Sequence, residues 1–275
     1  MELSQQHASL WIPDGVSEEA ALRRTTHLGI GAHADDLEFM AYSGIAECFD
    51  RADKWFGGVT VTNGANPPRS GPYAECTAHE MADIRSREQV EAARIGSYGF
   101  QAQLFHDSAV VRAVDPAVVA DLESLLTASR PEVLYLHQPF DKHPTHIGVL
   151  KCSLAALLNL PPKHRPRKVY GCEVWRGLDW VPGKCKVALP THAHPELARK
   201  LMQCFRSQIK GGKRYDLAVP GRWLANATFY QSHAVDVMES LAWGLDLTPM
   251  IQPGGPGLKA YRSQILRAFE ESLLD

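Results

Sequence analysis

The sequence contains no apolar run of the roughly 18 residues that a membrane-spanning helix needs, so no membrane insertion is expected. It also lacks a block of like charge. Twenty-nine Lys and Arg stand against 31 Asp and Glu, a formal charge of −2, which builds no polybasic stripe and makes nucleic acid an unexpected partner. No C-x-x-C pair occurs among the six cysteines, Cys48, Cys76, Cys152, Cys172, Cys185 and Cys204. They read as reduced thiols rather than as a disulfide framework. The first 20 residues lack the charged start and continuous apolar core of a signal peptide, and a cytoplasmic protein is the expectation.

What the chain does have is 45% hydrophobic residues over 275 positions, enough for a substantial core and commonly one domain in α/β folds. Short apolar or β-branched runs at 27–32, 56–62, 102–105, 132–136 and 168–174 read as buried strands. Leu37, Met40, Ala41, Gly44, Ile45 and Cys48 follow i, i+3, i+4, i+7, i+8, i+11, a stripe that docks one helix on a sheet. Further helices are expected near 78–96, 116–129, 145–158, 194–209 and 258–274. This alternation predicts an α/β fold with a doubly wound, mostly parallel sheet, helices on both faces and chemistry at the carboxyl ends of the strands. The Gly- and Pro-rich stretches 63–77 and 210–226 read as long ordered loops.

Two clusters carry the chemistry. In GAHADDLEFMAYSG, residues 31–44, His33, Asp35 and Asp36 follow the first strand and open the helix behind it. One Asp there is an ordinary helix cap, but two beside a histidine repel each other unless a cation or a shared proton settles them. Gly29 and Gly31 hint at a nucleotide loop. The third glycine of G-x-G-x-x-G is missing, however, and the aspartates would face the phosphates. In LHQPFDKHPTHIGVL, residues 136–150, His137, Asp141 and His143 follow another strand, Pro144 suits the first helical position, and His146 falls in the first turn. A two-His, one-carboxylate set of His33, Asp36 and His146 leaves a coordination position open for water, which favours hydrolysis.

A-H-A-D-D followed about 110 residues later by D-K-H-P-T-H resembles the paired motifs of the PIG-L/LmbE family of zinc-dependent N-acetylglucosaminyl deacetylases. Arg85, Glu88, Ala92, Ala93 and Gly96 extend the likeness. Ala34 stands where that family commonly has proline, and Leu37 where it has glutamate. The resemblance implies a Rossmann-like, LmbE-like fold over residues 1–275, with a catalytic core at about 26–160 and a C-terminal elaboration at about 161–275. It further implies His33, Asp36 and His146 as ligands of one Zn2+, or of another divalent metal such as Fe2+. Asp35 becomes the general base, and His143 faces the developing oxyanion.

The substrate would be a small N-acetylated amino sugar or glycoconjugate, with Arg85, Asp107, Trp175 and Arg222 as candidate contacts. Asp141 is expected to offset a charged His143, and Glu88 to pair with Arg85 at the edge of the cleft. The Trp175–Trp180 stretch and the segment with Lys210, Lys213, Arg214, Arg222 and His233 suit a sugar platform and a lid or subunit contact. A homo-oligomer is expected. Two other readings stay open: a metal-free Rossmann-like transferase using Asp35 as base, and a non-catalytic carbohydrate-binding relative.

Overall fold

Eight strands form one sheet in the computed structural model, which describes residues 1–65 and 70–274. They are β1 (Ser9–Trp11), β2 (His27–Gly31), β3 (Phe56–Thr62), β4 (Phe100–His106), β5 (Val133–His137), β6 (Lys168–Cys172), β7 (Val187–Pro190) and β8 (Leu241–Asp246). The helices run α1 (Glu18–Arg23), α2 (Asp36–Met40), α3 (Tyr42–Cys48), α4 (Ala78–Ile95), α5 (Ser108–Arg112) and α6 (Pro116–Ser129). They continue with α7 (Pro144–Asn159), α8 (Pro195–Met202), α9 (Arg206–Ile209), α10 (Tyr215–Thr228) and α11 (Leu258–Ser272). No helix among the described residues is long and apolar enough to cross a membrane.

The spatial order is β1-β4-β3-β2-β5-β6-β8-β7. Strands β2 to β6 pair in parallel, while β1, β7 and β8 add antiparallel edges. From β2 the chain steps outward to β3 and β4, then returns to place β5 on the opposite side of β2. The connections leaving β2 and β5 therefore diverge, and the crevice between their carboxyl ends is the topological switch point where open α/β sheets bind ligands.

Alternation along the strands divides the interior into two layers. Leu28, Ile30, Val59, Val61, Leu104, Leu134 and Leu136 pack with α5, α6 and α7 on one face. Phe56 and Tyr135 pack with Leu37, Ile45, Ala92 and Leu201 on the other. The glycines of β2 serve this packing: a Cβ on Gly29 would lie 2.9 Å from both Leu37 Cδ2 and Phe56 Cζ. They let α2 approach the sheet, and no phosphate-binding role is needed to explain them.

Three local expectations change. The single helix expected over 37–48 breaks at Ala41, whose φ of −112° separates α2 from α3. The helix expected over 194–209 is two, α8 and α9. Most of the loop expected at 210–226 is α10, which carries Pro220 internally and buries Trp223, Asn226 and Ala227. There the buried face outweighs the one helical hydrogen bond that proline removes. In the stretch expected as a loop at 63–77, residues 66–69 lie outside the described residues, and Gly71–Tyr73 forms a 3-10 turn.

Candidate active site and metal centre

The turn between β2 and α2 is held open by an unusual backbone. Asp35 sits at the helix N-cap with φ +94°, a left-handed conformation that costs a non-glycine residue of order 1–3 kcal/mol. Surrounding bonds enforce it. The Asp35 N–H donates to Gln89 Oε1 (3.2 Å), and Gln89 Nε2 donates to Glu38 Oε1 (2.9 Å), which also accepts from the Tyr98 hydroxyl (2.8 Å). Gln89 and Glu38 are buried, so α4 clamps the turn from beneath.

Asp36 opens α2, and its Oδ2 accepts the backbone N–H of His33 at 2.7 Å, closing the turn. That same oxygen lies 3.2 Å from His33 Nδ1 and 3.4 Å from His146 Nε2, while the two histidine nitrogens are 3.2 Å apart. Tetrahedral coordination with bonds of about 2.0–2.1 Å places ligand atoms about 3.3–3.4 Å from one another, so this triangle fits a divalent cation. Without a proton or cation between them, three electron-rich atoms at such separations repel. The surrounding histidines hold the Asp36 carboxyl well below the ordinary carboxylate range despite its burial.

His137, at the end of β5, was not among the expected site residues, yet it is fully buried against the triangle. Its Nε2 lies 3.4 Å from Asp36 Oδ2, and its ring stacks on His146 with centroids 3.8 Å apart. Asp36, His137 and His146 form one donor set, and His33, His143 and His146 another. The Ala32 N–H donates to His137 Nε2 at 3.0 Å, whereas His33, Asp36 and His146 converge on one another. The sequence signal for His137 was its place at a strand end in the second cluster.

On the α7 side, His143 is the N-cap and Pro144 the first helical residue, as the spacing predicts. The His143 ring lies 4.9 Å from His33 and 4.6 Å from His146, centroid to centroid. Burial, with His33 next, pushes its pKa down, so the neutral imidazole is favoured. Asp141 favours a charged His143, as expected, but burial and His33 outweigh it, and its carboxylate makes no bond to the His143 ring. Its Oδ2 lies 3.4 Å from His146 Nδ1 and accepts the Trp175 N–H (3.1 Å), while Oδ1 accepts the His143 backbone N–H (2.9 Å). The carboxylate thus stands behind His146, the arrangement that fixes the tautomer of a metal-ligating histidine.

A cavity of about 950 Å3 opens above this floor, lined by His33, Asp35, Asp36, His143, Arg85, Asp107, Trp175, Tyr215 and Arg222 among others. Asp35 is 4% exposed, and its Oδ2 has no hydrogen-bond partner among the described residues. Burial, then Asp36, pushes its carboxyl well above the ordinary range. Arg85 lies beside it, packed under Gly64, whose φ of +66° admits the side chain; a Cβ there would meet Arg85 Cδ at 3.1 Å.

The expected pairing of Glu88 with Arg85 is replaced. Both Glu88 oxygens take hydrogens from Ser207, N–H at 2.7 Å and Oγ at 2.6 Å, tying α4 to α9. Asp107 accepts from Asn63 Nδ2 at 2.8 Å. Trp175 lines the cavity, whereas Trp180 packs edge-on against Phe140 and Phe269. Arg222 reaches the cavity wall within this chain; His233 is exposed and is not part of the lining.

Residues 28–157 match the family described as PIG-L: GlcNAc-PI de-N-acetylase. No curated protein matches the sequence. Among solved structures, a conserved protein from Thermus thermophilus is similar at TM-score 0.62 and 18% identity, over 81% of this chain and 94% of that one. GalB, the 4-carboxy-2-hydroxymuconate hydratase from Pseudomonas putida, gives 0.58 and 16%, over 81% and 96%. The N,N'-diacetylchitobiose deacetylase of Pyrococcus horikoshii gives 0.54 and 16%, over 80% and 83%. These likenesses establish the mostly parallel α/β fold, which LmbE-like deacetylases share. With the family match over the parallel core, the chain carries a PIG-L family domain at residues 28–157.

Proposed function

We propose that this protein is a zinc-dependent N-deacetylase that hydrolyses the acetamide of an N-acetylated amino sugar or GlcNAc-type conjugate. The carrying observation is the triangle of His33 Nδ1, Asp36 Oδ2 and His146 Nε2, with the unpartnered Asp35 Oδ2 beside it on the floor of a large cavity. The family match and the chitobiose deacetylase neighbour support the same reading. His33, Asp36 and His146 would hold a divalent ion, which when bound would supply Lewis acidity toward a water and the acyl oxygen.

The chain's own residues do the rest. Asp35 Oδ2 takes the proton of the attacking water and returns it to the departing amine, and burial with the neighbouring Asp36 raises its affinity for that proton. His143 donates a ring N–H toward the acyl oxygen as that atom gains negative charge; a neutral imidazole performs this without an anionic partner. Asp141 and His137 keep His146 aligned from behind. We read residues 1–275 as one functional domain, because α10 and the loop after β6 complete the cavity that the parallel core begins.

The test is acetate release from a panel of N-acetylhexosamines and conjugates, with the purified protein before and after chelation and after zinc readdition. Metal-dependent release from at least one member is expected. Because a hydratase shares the fold, an unsaturated hydroxy acid belongs in the panel. Its turnover, with no acetate released from any sugar, would replace the deacetylase reading.

A further inference from the structure

The chain as a whole is slightly acidic, with a formal charge of −2, but the cavity is not. Five cations, Arg85, Arg112, Lys142, Lys213 and Arg222, line it against three carboxylates, Asp35, Asp36 and Asp107. Two of those carboxylates are already engaged. Asp36 faces three histidines, and Asp107 accepts from Asn63. A neutral sugar needs no such excess, and cations gathered in a low-dielectric cleft raise the local concentration of anions.

The cations divide by wall. Arg112 and Lys142 are on the α5 and α7 side. Arg222 is half-buried on α10, where one guanidinium nitrogen donates to the Val174 carbonyl and fixes the group in place. Lys213 Nζ lies 5.2 Å from the centre of the Trp175 ring, and that ring is 6.2 Å from His143. The wall formed by Lys213 and Arg222 is thus one aromatic ring removed from the group assigned to the acyl oxygen. A guanidinium held through one nitrogen keeps further N–H donors for a two-point contact with a phosphate or carboxylate.

We propose that the substrate carries an anionic substituent, a phosphate or a carboxylate, bound by Arg222 and Lys213 beside the Trp175 face. This inference rests on the deacetylase reading and narrows its substrate class to acidic amino-sugar conjugates.

The test compares N-acetylglucosamine, N-acetylglucosamine 1-phosphate and N-acetylmuramic acid in two assays on the zinc-loaded protein: acetate release, and calorimetric binding to Asp35→Asn, in which turnover is suppressed. The expected result is a KM and a Kd at least about tenfold lower for one or both acidic sugars, the effect of one charge-assisted hydrogen bond. That advantage shrinks as salt rises from roughly 0.05 to 0.5 M, because screening shortens the reach of the cations. The acidic-to-neutral ratio collapses in Lys213→Met/Arg222→Met. The phosphate and carboxylate arms identify which anion is preferred.

Equal affinities for all three sugars, or an advantage untouched by salt and by the double substitution, would overturn the anion site while leaving a deacetylase in place. Selective binding of an acidic sugar with no acetate release from any of the three would keep the anion site and sink the deacetylase reading.

Discussion

The two walls of the cavity are built on different principles. The inner one, from the ends of β2 and β5, is buried and backed by a parallel sheet. The outer one, from α10 and the loop after β6, is half-exposed and rich in long cationic and aromatic side chains. The contrast separates chemistry, which needs fixed geometry in a dry site, from recognition, which tolerates mobile groups in contact with water. Variants at the two walls should therefore fail differently.

The inner wall should give the largest losses. Asp36→Ala removes the donor shared by His33 and His146, so metal measured by plasma emission spectroscopy drops toward zero and turnover goes with it. Retention of one metal per chain would remove Asp36 from the ligand set. Asp35→Ala should cut kcat by about 10²–10⁴ with metal still bound. Near wild-type turnover would leave the water without its assigned base.

A buried acid beneath that wall gives the pH signature. Burial raises the Glu38 pKa from 4.5 to about 7, above its value in the unfolded chain. Its contribution is therefore complete below about pH 4.5 and is lost as pH rises toward 7, a decline of about 3 kcal/mol at roughly 1.36 kcal/mol per unit. Glu38→Gln should flatten this part of the Tm-against-pH curve. An unchanged slope would show that Glu38 is ionised in the folded protein throughout.

His137→Asn keeps a polar side chain but loses the ring stacked on His146, and metal affinity by competition with a chelating dye should weaken about 10- to 100-fold. At the outer wall the effect should be smallest and confined to binding: Trp175→Ala raises KM about fivefold, worth about 1 kcal/mol, with kcat nearly unchanged. A fall in kcat as large as that of Asp35→Ala would erase the distinction between the walls.

The same division governs how much could be read from the chain. Strands β2, β3 and β5 are largely apolar runs because both faces of a central parallel strand are buried, and such runs announce themselves. The edge strands β1 and β7, three and four residues long, leave almost no pattern, and their partners lie far away in sequence. The helix α10 was hidden by Gly and Pro. His33, Asp35, Asp36, His143 and His146 stood out because each cluster is compact. Gln89 and Glu38 did not, and His137 stood in its cluster without a role, since nothing in a linear sequence shows that residues 35 and 89, or 32 and 137, share a hydrogen bond.

By itself the sequence determined the alternation of buried strands with helices, and hence a doubly wound sheet with its chemistry at strand ends. It also supplied the two histidine and aspartate clusters, because local spacing suffices to put reactive groups on a turn. Only the tertiary structure decided how those groups are arranged about one another. The switch point between β2 and β5 brings Asp36 within 3.4 Å of His146, sets the Asp141 carboxylate between His146 Nδ1 and the His143 backbone, and gathers cations from separate segments around one cavity. Distances between atoms remote along the chain are set by the packing of the whole sheet, and no local pattern encodes them.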